Sequence, residues 1–194
     1  MYAFDLSRVL LYTAVTGVPY GWSKVPATIA LAGASAVGTI VSTEYQLLGA
    51  PSWTPYAGPF QSGAEGETTY ACRSTDSRGN VEDPGTFVVR IDSRPPKTKA
   101  RAAASCKKGR TATLKYKVLD PLPGSEAATV TIDIVNRRHK VVMTLPLGEI
   151  PSNQAMTTRV TCTLAKGAYT YKVYAVDLAG NAQTKAGSAK LTVR

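Results

Sequence analysis

The chain has 194 residues and a formal net charge of +10, and its hydrophobic share of 44% is enough to build a core in each half. It contains no run of 18 apolar residues, so no membrane-spanning helix is expected. A single histidine makes a two-histidine zinc site impossible within one chain, and no Cys-x-x-Cys pair occurs.

The charge divides unevenly along the chain. Residues 1–93 hold 5 Lys/Arg and 8 Asp/Glu, a net charge of −3, whereas residues 94–194 hold 18 and 5, a net charge of +13. The change falls at a Ser-Arg-Pro-Pro-Lys connector, residues 93–97, which favours a short extended linker. We expect a strand-prone extension at residues 1–16, a first domain at residues 17–93, a linker at residues 94–98 and a second domain at residues 99–194. The first strand is expected to start as early as residue 9.

The first residues lack a basic leader and a small-residue cleavage site, so they make a poor signal peptide. They are apolar and β-prone at Val9, Leu10, Leu11, Tyr12 and Val15. Such a segment can add to the open sheet edge of a neighbouring molecule, and we expect it to serve as an assembly strand. The alternatives are that it forms the first strand of the first domain or a disordered leader.

Short segments of alternating apolar and polar residues follow along the whole chain. In the first half they are residues 27–31, 42–47, 69–74 and 87–91, and the proline-rich residues 51–60 indicate an edge segment. In the second half they are residues 112–118, 130–134, 140–145, 160–164, 169–175 and 191–193. No helical period of useful length occurs. The pattern predicts an all-β protein of two tandem sandwiches.

A turn motif, Asp-x-x-Gly-Asn, occurs twice between strand-like segments, 101 residues apart. Asp binds nearby backbone N–H groups through its carboxylate, and Gly and Asn tolerate positive φ. The motif therefore predicts the same hairpin turn in each of two similar domains, at Asp76, Gly79 and Asn80 and at Asp177, Gly180 and Asn181.

Several of these segments resemble known families. The first half, over about residues 15–92, resembles bacterial surface Ig-like or fibronectin-III-like repeats, through residues 42–45, 53–56, 58–60, 65–66 and 73–82. The second half resembles Ig-like C-terminal domains of secreted actinobacterial proteins and, distantly, the hook-capping Ig domain of flagella, through residues 106–109, 128–136, 162–167 and 174–181. This resemblance implies a fold more than a function, because such domains serve as spacers, adhesive modules and enzyme appendages.

The resemblance also implies a disulfide. In an Ig-like sheet the second and fifth strands are antiparallel neighbours, which places Cys106 beside Cys162. A bridge closing these 56 residues stabilises the fold by roughly 3–4 kcal/mol and implies an oxidising, extracytoplasmic setting. The alternative is two buried thiols in a cytosolic protein. Cys72 falls on an inward-facing position of its predicted strand and is expected to be a small core residue.

No residue pattern supports catalysis or a cofactor. A Ser-His-Asp or Cys-His site would need His139, which lies in a basic turn and is interpreted as a solvated turn residue. Turn capping explains Asp76 and Asp177 better than metal ligation does. We therefore predict no catalytic residue, no metal and no cofactor.

Two surfaces are candidates for binding. Trp53, Tyr56 and Phe60, with Trp22, could stack on sugars or a partner, although packing at the sandwich edge is the alternative. A dense basic segment could bind a polyanion through Lys97, Lys99, Arg101, Lys107, Lys108 and Arg110. No nucleic-acid-reading motif accompanies it, so a cell-wall polyanion or glycan is the expected partner, beside self-association.

The predicted function is a non-enzymatic extracellular or cell-surface protein, structural or adhesive, in the form of a stalk or a subunit of an assembly such as a filament. The first alternative is the C-terminal accessory region of a secreted hydrolase or peptidase. A carbohydrate-binding module is the second.

Overall fold

The computed structural model describes residues 11–194, and the chain divides after Ile91 into two compact units. Sixteen strands and no helix occur in that part of the chain. Accordingly, residues 11–194 contain no helix long and apolar enough to cross a bilayer. The prediction of an all-β chain of two tandem sandwiches is confirmed.

The first sandwich has eight strands in two sheets. The three-stranded sheet has the order β1-β3-β6, and the five-stranded sheet has the order β2-β8-β7-β4-β5. The strands are β1 (Leu11–Thr16), β2 (Trp22–Ser23), β3 (Ala27–Ser35), β4 (Ile40–Leu47), β5 (Thr54–Pro55), β6 (Phe60–Ser62), β7 (Gly66–Asp76) and β8 (Gly85–Ile91).

The second sandwich repeats this plan strand for strand. Its sheets have the orders β14-β11-β9 and β10-β16-β15-β12-β13, so that each strand corresponds to the one eight positions earlier. The strands are β9 (Lys97–Ala100), β10 (Ala104–Cys106), β11 (Thr111–Leu119), β12 (Ala127–Val135), β13 (Val141–Pro151), β14 (Ala155–Thr161), β15 (Gly167–Asp177) and β16 (Gly187–Val193). In both sandwiches the pairs β2/β8 and β10/β16 are parallel, and all other pairs are antiparallel.

Alternation along the strands builds each core. In the first sandwich, Ile29 and Val89 are fully buried, and rings from β4, β6, β7 and β8 pack beside them, with Tyr45 and Phe60 stacked at 4.1 Å. In the second, Leu114 and Ile132 are fully buried within a larger core. Removing these apolar side chains from water stabilises each sandwich separately.

The structure places the domain limits differently from the sequence. Residues 11–16 belong to the first sandwich rather than to an extension, because β1 pairs with β3 from Leu11↔Ser35 to Thr16↔Ala30, which agrees with the expectation that the first strand starts as early as residue 9. The connector also ends earlier than expected, since β9 begins at Lys97 and the second unit already includes Asp92. Position alone could not show either point, because both depend on partners far away in the sequence.

Candidate functional site

The repeated turn motif closes the connection β7–β8 and the connection β15–β16. In the first sandwich the Asp76 carboxylate accepts hydrogen bonds from the Arg78 and Asn80 backbone N–H groups, the Asn80 side-chain amide and the Ser35 hydroxyl, at 2.9–3.0 Å. Gly79 adopts φ 82°, as the turn requires. The side-chain bond from Asn80 is the largest cause that holds the pKa of Asp76 below its usual value.

Asp177 forms the same turn in the second sandwich. Its carboxylate accepts the backbone N–H and the side-chain amide of Asn181, both at 2.8 Å, and Gly180 adopts φ 84°. The Asn181 amide also donates to the backbone carbonyl of Asp92 at 2.7 Å. This second bond draws another acidic residue to the turn.

Three carboxylates therefore meet at one end of the second sandwich. Asp92, Asp120 and Asp177 each place one oxygen within 4.8 Å of the other two. Their exposed fractions are 0%, 4% and 4%, so the acidic cluster is buried. Buried charges are costly unless they are paired, protonated or bound to a cation.

Ser125 lies at the centre of the acidic cluster and is itself fully buried. Its backbone N–H donates to Asp92 Oδ2 at 2.7 Å and its hydroxyl donates to Asp120 Oδ2 at 3.1 Å. Gly124 permits this approach, because a Cβ there would lie 2.8 Å from Asp92 Oδ2. The segment after β11 is thus folded onto the residues that precede β9.

Asp120 is the least satisfied member of the acidic cluster. Its Oδ1 is buried and accepts no hydrogen bond, whereas both oxygens of Asp92 and of Asp177 have donors. Burial, followed by the negative charge of Asp92, raises the pKa of Asp120 to about 6, although the Ser125 hydrogen bond and the positive charge of Arg94 oppose this rise. Burial is also the largest cause that raises the pKa of Asp177.

Only one member of this cluster, Asp177, was predicted from the sequence, with a turn-capping role. Asp92, beside the predicted linker, and Asp120 were missed. One signal was present: Asp120 continues the inward alternation of Ala112, Leu114, Tyr116 and Val118, so an aspartate falls on a core-facing position.

The predicted aromatic surface is mostly packed inside the first sandwich. Tyr56 and Phe60 pack against the core, and Phe60 stacks on Tyr45. The Arg73 guanidinium lies 4.2 Å from the centre of the Trp53 ring and also pairs with Glu44. One face of Trp53 is therefore covered, which leaves little of this set open for stacking on a sugar.

The predicted basic segment separates into two groups. Lys97 and Lys99 lie exposed on β9 with Arg101 just after it, whereas Lys107, Lys108 and Arg110 lie exposed in the turn before β11. Lys99 pairs with Lys117 on β11, six residues beyond Thr111. At ~3.3 Å per residue, the two groups are about 20 Å apart.

The β9 group is part of a larger basic face. On the outer side of the sheet β14-β11-β9, the pairing places Lys99 beside Lys117, with Lys115 on the same strand and Arg159 on β14. None of the three strands carries an acidic residue. We call this surface the basic face and define it by Lys97, Lys99, Arg101, Lys115, Lys117 and Arg159.

The proposed assembly strand is also placed differently. Leu11, Tyr12 and Val15 form part of β1, and Leu11 is only 4% exposed. Val9 and Leu10 lie outside the described residues. β1 pairs with β3 on one side and is the edge strand of its sheet, so its other side can still pair with a strand of a neighbouring molecule.

Cys106 and Cys162 form a disulfide with 6.6 Å between their Cα atoms. It joins β10 of the five-stranded sheet to the end of β14 in the three-stranded sheet, and so connects the two sheets of the second sandwich. The free Cys72 is 2% exposed in the first core. His139 is exposed in a turn, with φ 59°.

No protein-family model and no curated protein matches this sequence. Among solved structures, the chain is similar to the FN1–FN3 domains of chicken CNTN1, with 10% identity and a TM-score of 0.36. The match covers 93% of this chain and 64% of that one, so the chain spans less than two thirds of its length. The fold described above stands on the strand pairing itself.

Proposed function

We propose that the chain is a non-enzymatic structural and adhesive protein of the cell surface, and that its second sandwich binds an anionic polymer. In this proposal the chain is grouped with the tandem Ig-like or fibronectin-III-like domains of secreted bacterial proteins that its motifs resemble. The basic face is the observation that carries the proposal. Its cations come from three paired strands and share one side of a sheet.

The arrangement of charges on the basic face has a cost in the isolated protein. Lys99 and Lys117 are directly opposed across an antiparallel pair, and like charges in that position destabilise a sheet. Neither lysine has an ion-pair partner within residues 11–194. A polyanion would relieve this repulsion and release its own counterions on binding.

The shape of the surface supports the same partner. Lys99, Arg101 and Lys117, together with Ala100 and Leu119, line a cavity of about 410 Å³. A phosphate or carboxylate group of an extended polymer would meet three cations there. Flanking cations on β9, β11 and β14 would hold its neighbouring groups along the sheet.

The disulfide supports the location. Bridges such as Cys106–Cys162 persist in oxidising compartments and are rare in the reducing cytosol of mesophiles. On a walled cell, the protein would meet an anionic cell-wall polymer in that setting. The proposal does not depend on a filament, although β1, as the edge strand of its sheet, leaves residues 11–16 open on one side.

A cell-wall binding assay tests the proposal. The full chain is sedimented with purified cell walls that either retain or lack their anionic polymers, at low and at high salt. We expect binding only to walls with polymers, and weaker binding at high salt. The double variant Lys99→Glu/Lys117→Glu should bind about tenfold less, because it reverses two of the charges that meet the polymer.

Lys107→Glu/Lys108→Glu is the matched control, since it makes the same change of charge in the turn about 20 Å away. It should reduce binding less than about twofold. Equal losses from the two variants would mean that net charge, rather than the basic face, governs binding. Equal binding to stripped walls would refute the anionic partner.

A further inference from the structure

The acidic cluster of Asp92, Asp120 and Asp177 has the dimensions of a cation site. Ca²⁺ binds oxygen ligands at 2.3–2.6 Å, so two oxygens on one ion lie at most about twice that distance apart. Each of the three carboxylates places an oxygen within 4.8 Å of the others. One ion can therefore contact all three.

The unpaired oxygen of Asp120 points independently to a ligand. Asp120 is 4% exposed, and its Oδ1 accepts no hydrogen bond, although Oδ2 of the same carboxylate accepts one from Ser125. Buried polar atoms without a partner are rare in native proteins and call for an explanation such as an ion. A cation beside Oδ1 would supply the missing interaction.

The first sandwich shows how the same fold satisfies this position without an ion. Ala27 and Ala112 are the first buried residues of β3 and β11, and Ser35 and Asp120 each lie eight residues further on. Ser35 donates to Asp76 at 2.9 Å. The second sandwich instead has a carboxylate at that position, which replaces a donor by a negative charge.

We propose that Asp92, Asp120 and Asp177 bind one Ca²⁺ ion in the second sandwich, with Asp120 Oδ1 among the ligands. The donors are all carboxylate oxygens, which favours a hard cation, and neither histidine nor cysteine takes part. Mg²⁺ fits less well, because it demands near-ideal octahedral geometry at shorter distances. Water and backbone carbonyls would complete the shell.

The ion would join three separate segments of the second sandwich. Asp92 precedes β9, Asp120 follows β11, and Asp177 ends β15. Bound Ca²⁺ would fix the entering chain to the body of the sandwich and remove the repulsion among the carboxylates. Extracellular calcium modules bind with Kd on the order of 10⁻⁴–10⁻³ M, and we expect that range here.

Calorimetric titration of the full chain with CaCl₂, after dialysis against EDTA, tests the site. We expect one ion per chain with a Kd on the order of 10⁻⁴–10⁻³ M. Asp120→Asn should weaken binding at least about tenfold, because the ligand charge count sets the affinity. This variant keeps the side-chain shape and loses a buried charge, so it is expected to fold, which far-UV circular dichroism checks.

Asp133→Asn is the matched control, since it makes the same change on β12 away from the acidic cluster, and it should leave the Kd within about twofold. Ca²⁺ should also slow hydrogen exchange at Arg94, Ser125 and Asn181, whose amides donate to these carboxylates. The proposal is overturned if wild type shows no binding up to ~10 mM Ca²⁺, if Asp120→Asn binds as tightly as wild type, or if Mg²⁺ binds as tightly as Ca²⁺.

Discussion

Asp76 and Asp177 close the same turn in the two sandwiches, but their pKa values move in opposite directions. Hydrogen bonds, led by that from the Asn80 side chain, lower the pKa of Asp76. Burial is the largest cause that raises the pKa of Asp177, and the charge of Asp92 adds to it. The difference traces first to burial, which outweighs the hydrogen bonds at Asp177 but not at Asp76; the Ser35 donor on one side and the charge of Asp92 on the other are smaller causes.

Replacement of Ser35 tests this account in the first sandwich. A carboxylate with a lowered folded pKa stabilises above its unfolded pKa, about 3.9, and the contribution is lost as the pH falls through the folded value. Ser35→Ala removes a donor to Asp76, so we expect the variant to have a lower urea midpoint than wild type at neutral pH. The difference between the two midpoints should be smaller at acidic pH. Both tryptophans, Trp22 and Trp53, lie in the first sandwich, so their fluorescence reports its unfolding.

Ser42→Ala is the control, because it makes the same change at an exposed position of β4. It should leave the fluorescence-detected midpoint unchanged. A Ser35→Ala midpoint equal to that of wild type at neutral pH would show that the bond to Asp76 contributes nothing.

Opening the disulfide should affect one sandwich only. Cys106→Ala/Cys162→Ala removes a covalent link between two residues that are 56 positions apart in the sequence. The double variant should destabilise the second sandwich by roughly 3–4 kcal/mol, because the unfolded chain regains conformational freedom. Far-UV circular dichroism during urea unfolding measures the loss. The tryptophan transition should not move; if it does, the two units do not unfold independently.

The thiol of Cys72 should remain unreactive in the folded protein. Burial, then the negative charge of Glu82, raises its pKa from 9.0 to about 11. The native protein therefore keeps this proton where the unfolded chain loses it, and the first sandwich should lose stability as the pH rises from about 9 to about 11.

Tryptophan-detected urea unfolding of wild type and Cys72→Ala measures this slope as the difference between the two proteins. Alkylation by iodoacetamide near neutral pH should need urea in the wild-type chain. Rapid alkylation without urea would contradict the buried placement.

Leu11→Ala tests both the core role and the assembly role of β1. Leu11 is 4% exposed on β1, so truncation should destabilise the first sandwich by about 2–5 kcal/mol. Tyr12→Ala, on the same strand but 57% exposed, should cost less than about 1 kcal/mol. Light scattering should give the same particle size for wild type and both variants; a smaller particle for Leu11→Ala at unchanged stability would support the assembly hypothesis.

Local chemistry made much of this fold predictable. The alternation of residues 112–118 and 130–134 fixed the strands β11 and β12 and their buried faces, since the period of a strand is visible within a few residues. The turns at Asp76 and Asp177 could be predicted for the same reason, because each motif spans five residues.

Features that depend on distant pairing could not be found in this way. In the sequence, Lys99 and Lys117 look like separate surface lysines, and Lys99 groups with Lys107; only the pairing of β9 with β11 brings Lys99 and Lys117 together. The acidic cluster was missed for a similar reason: 28 and 57 residues separate its members, and each aspartate taken alone resembles an ordinary turn residue. The role of Leu11 stayed open between alternatives, because a short apolar segment does not reveal whether its partner is in the same chain.

The parallel pairing of β10 with β16, and of β2 with β8, also sets how the chain passes through each sandwich. Within each unit, the chain runs along β2 or β10 and later leaves along a neighbouring strand that runs in the same direction. The last strand of each sandwich therefore ends at the opposite end of the sheet from the one at which β2 or β10 begins.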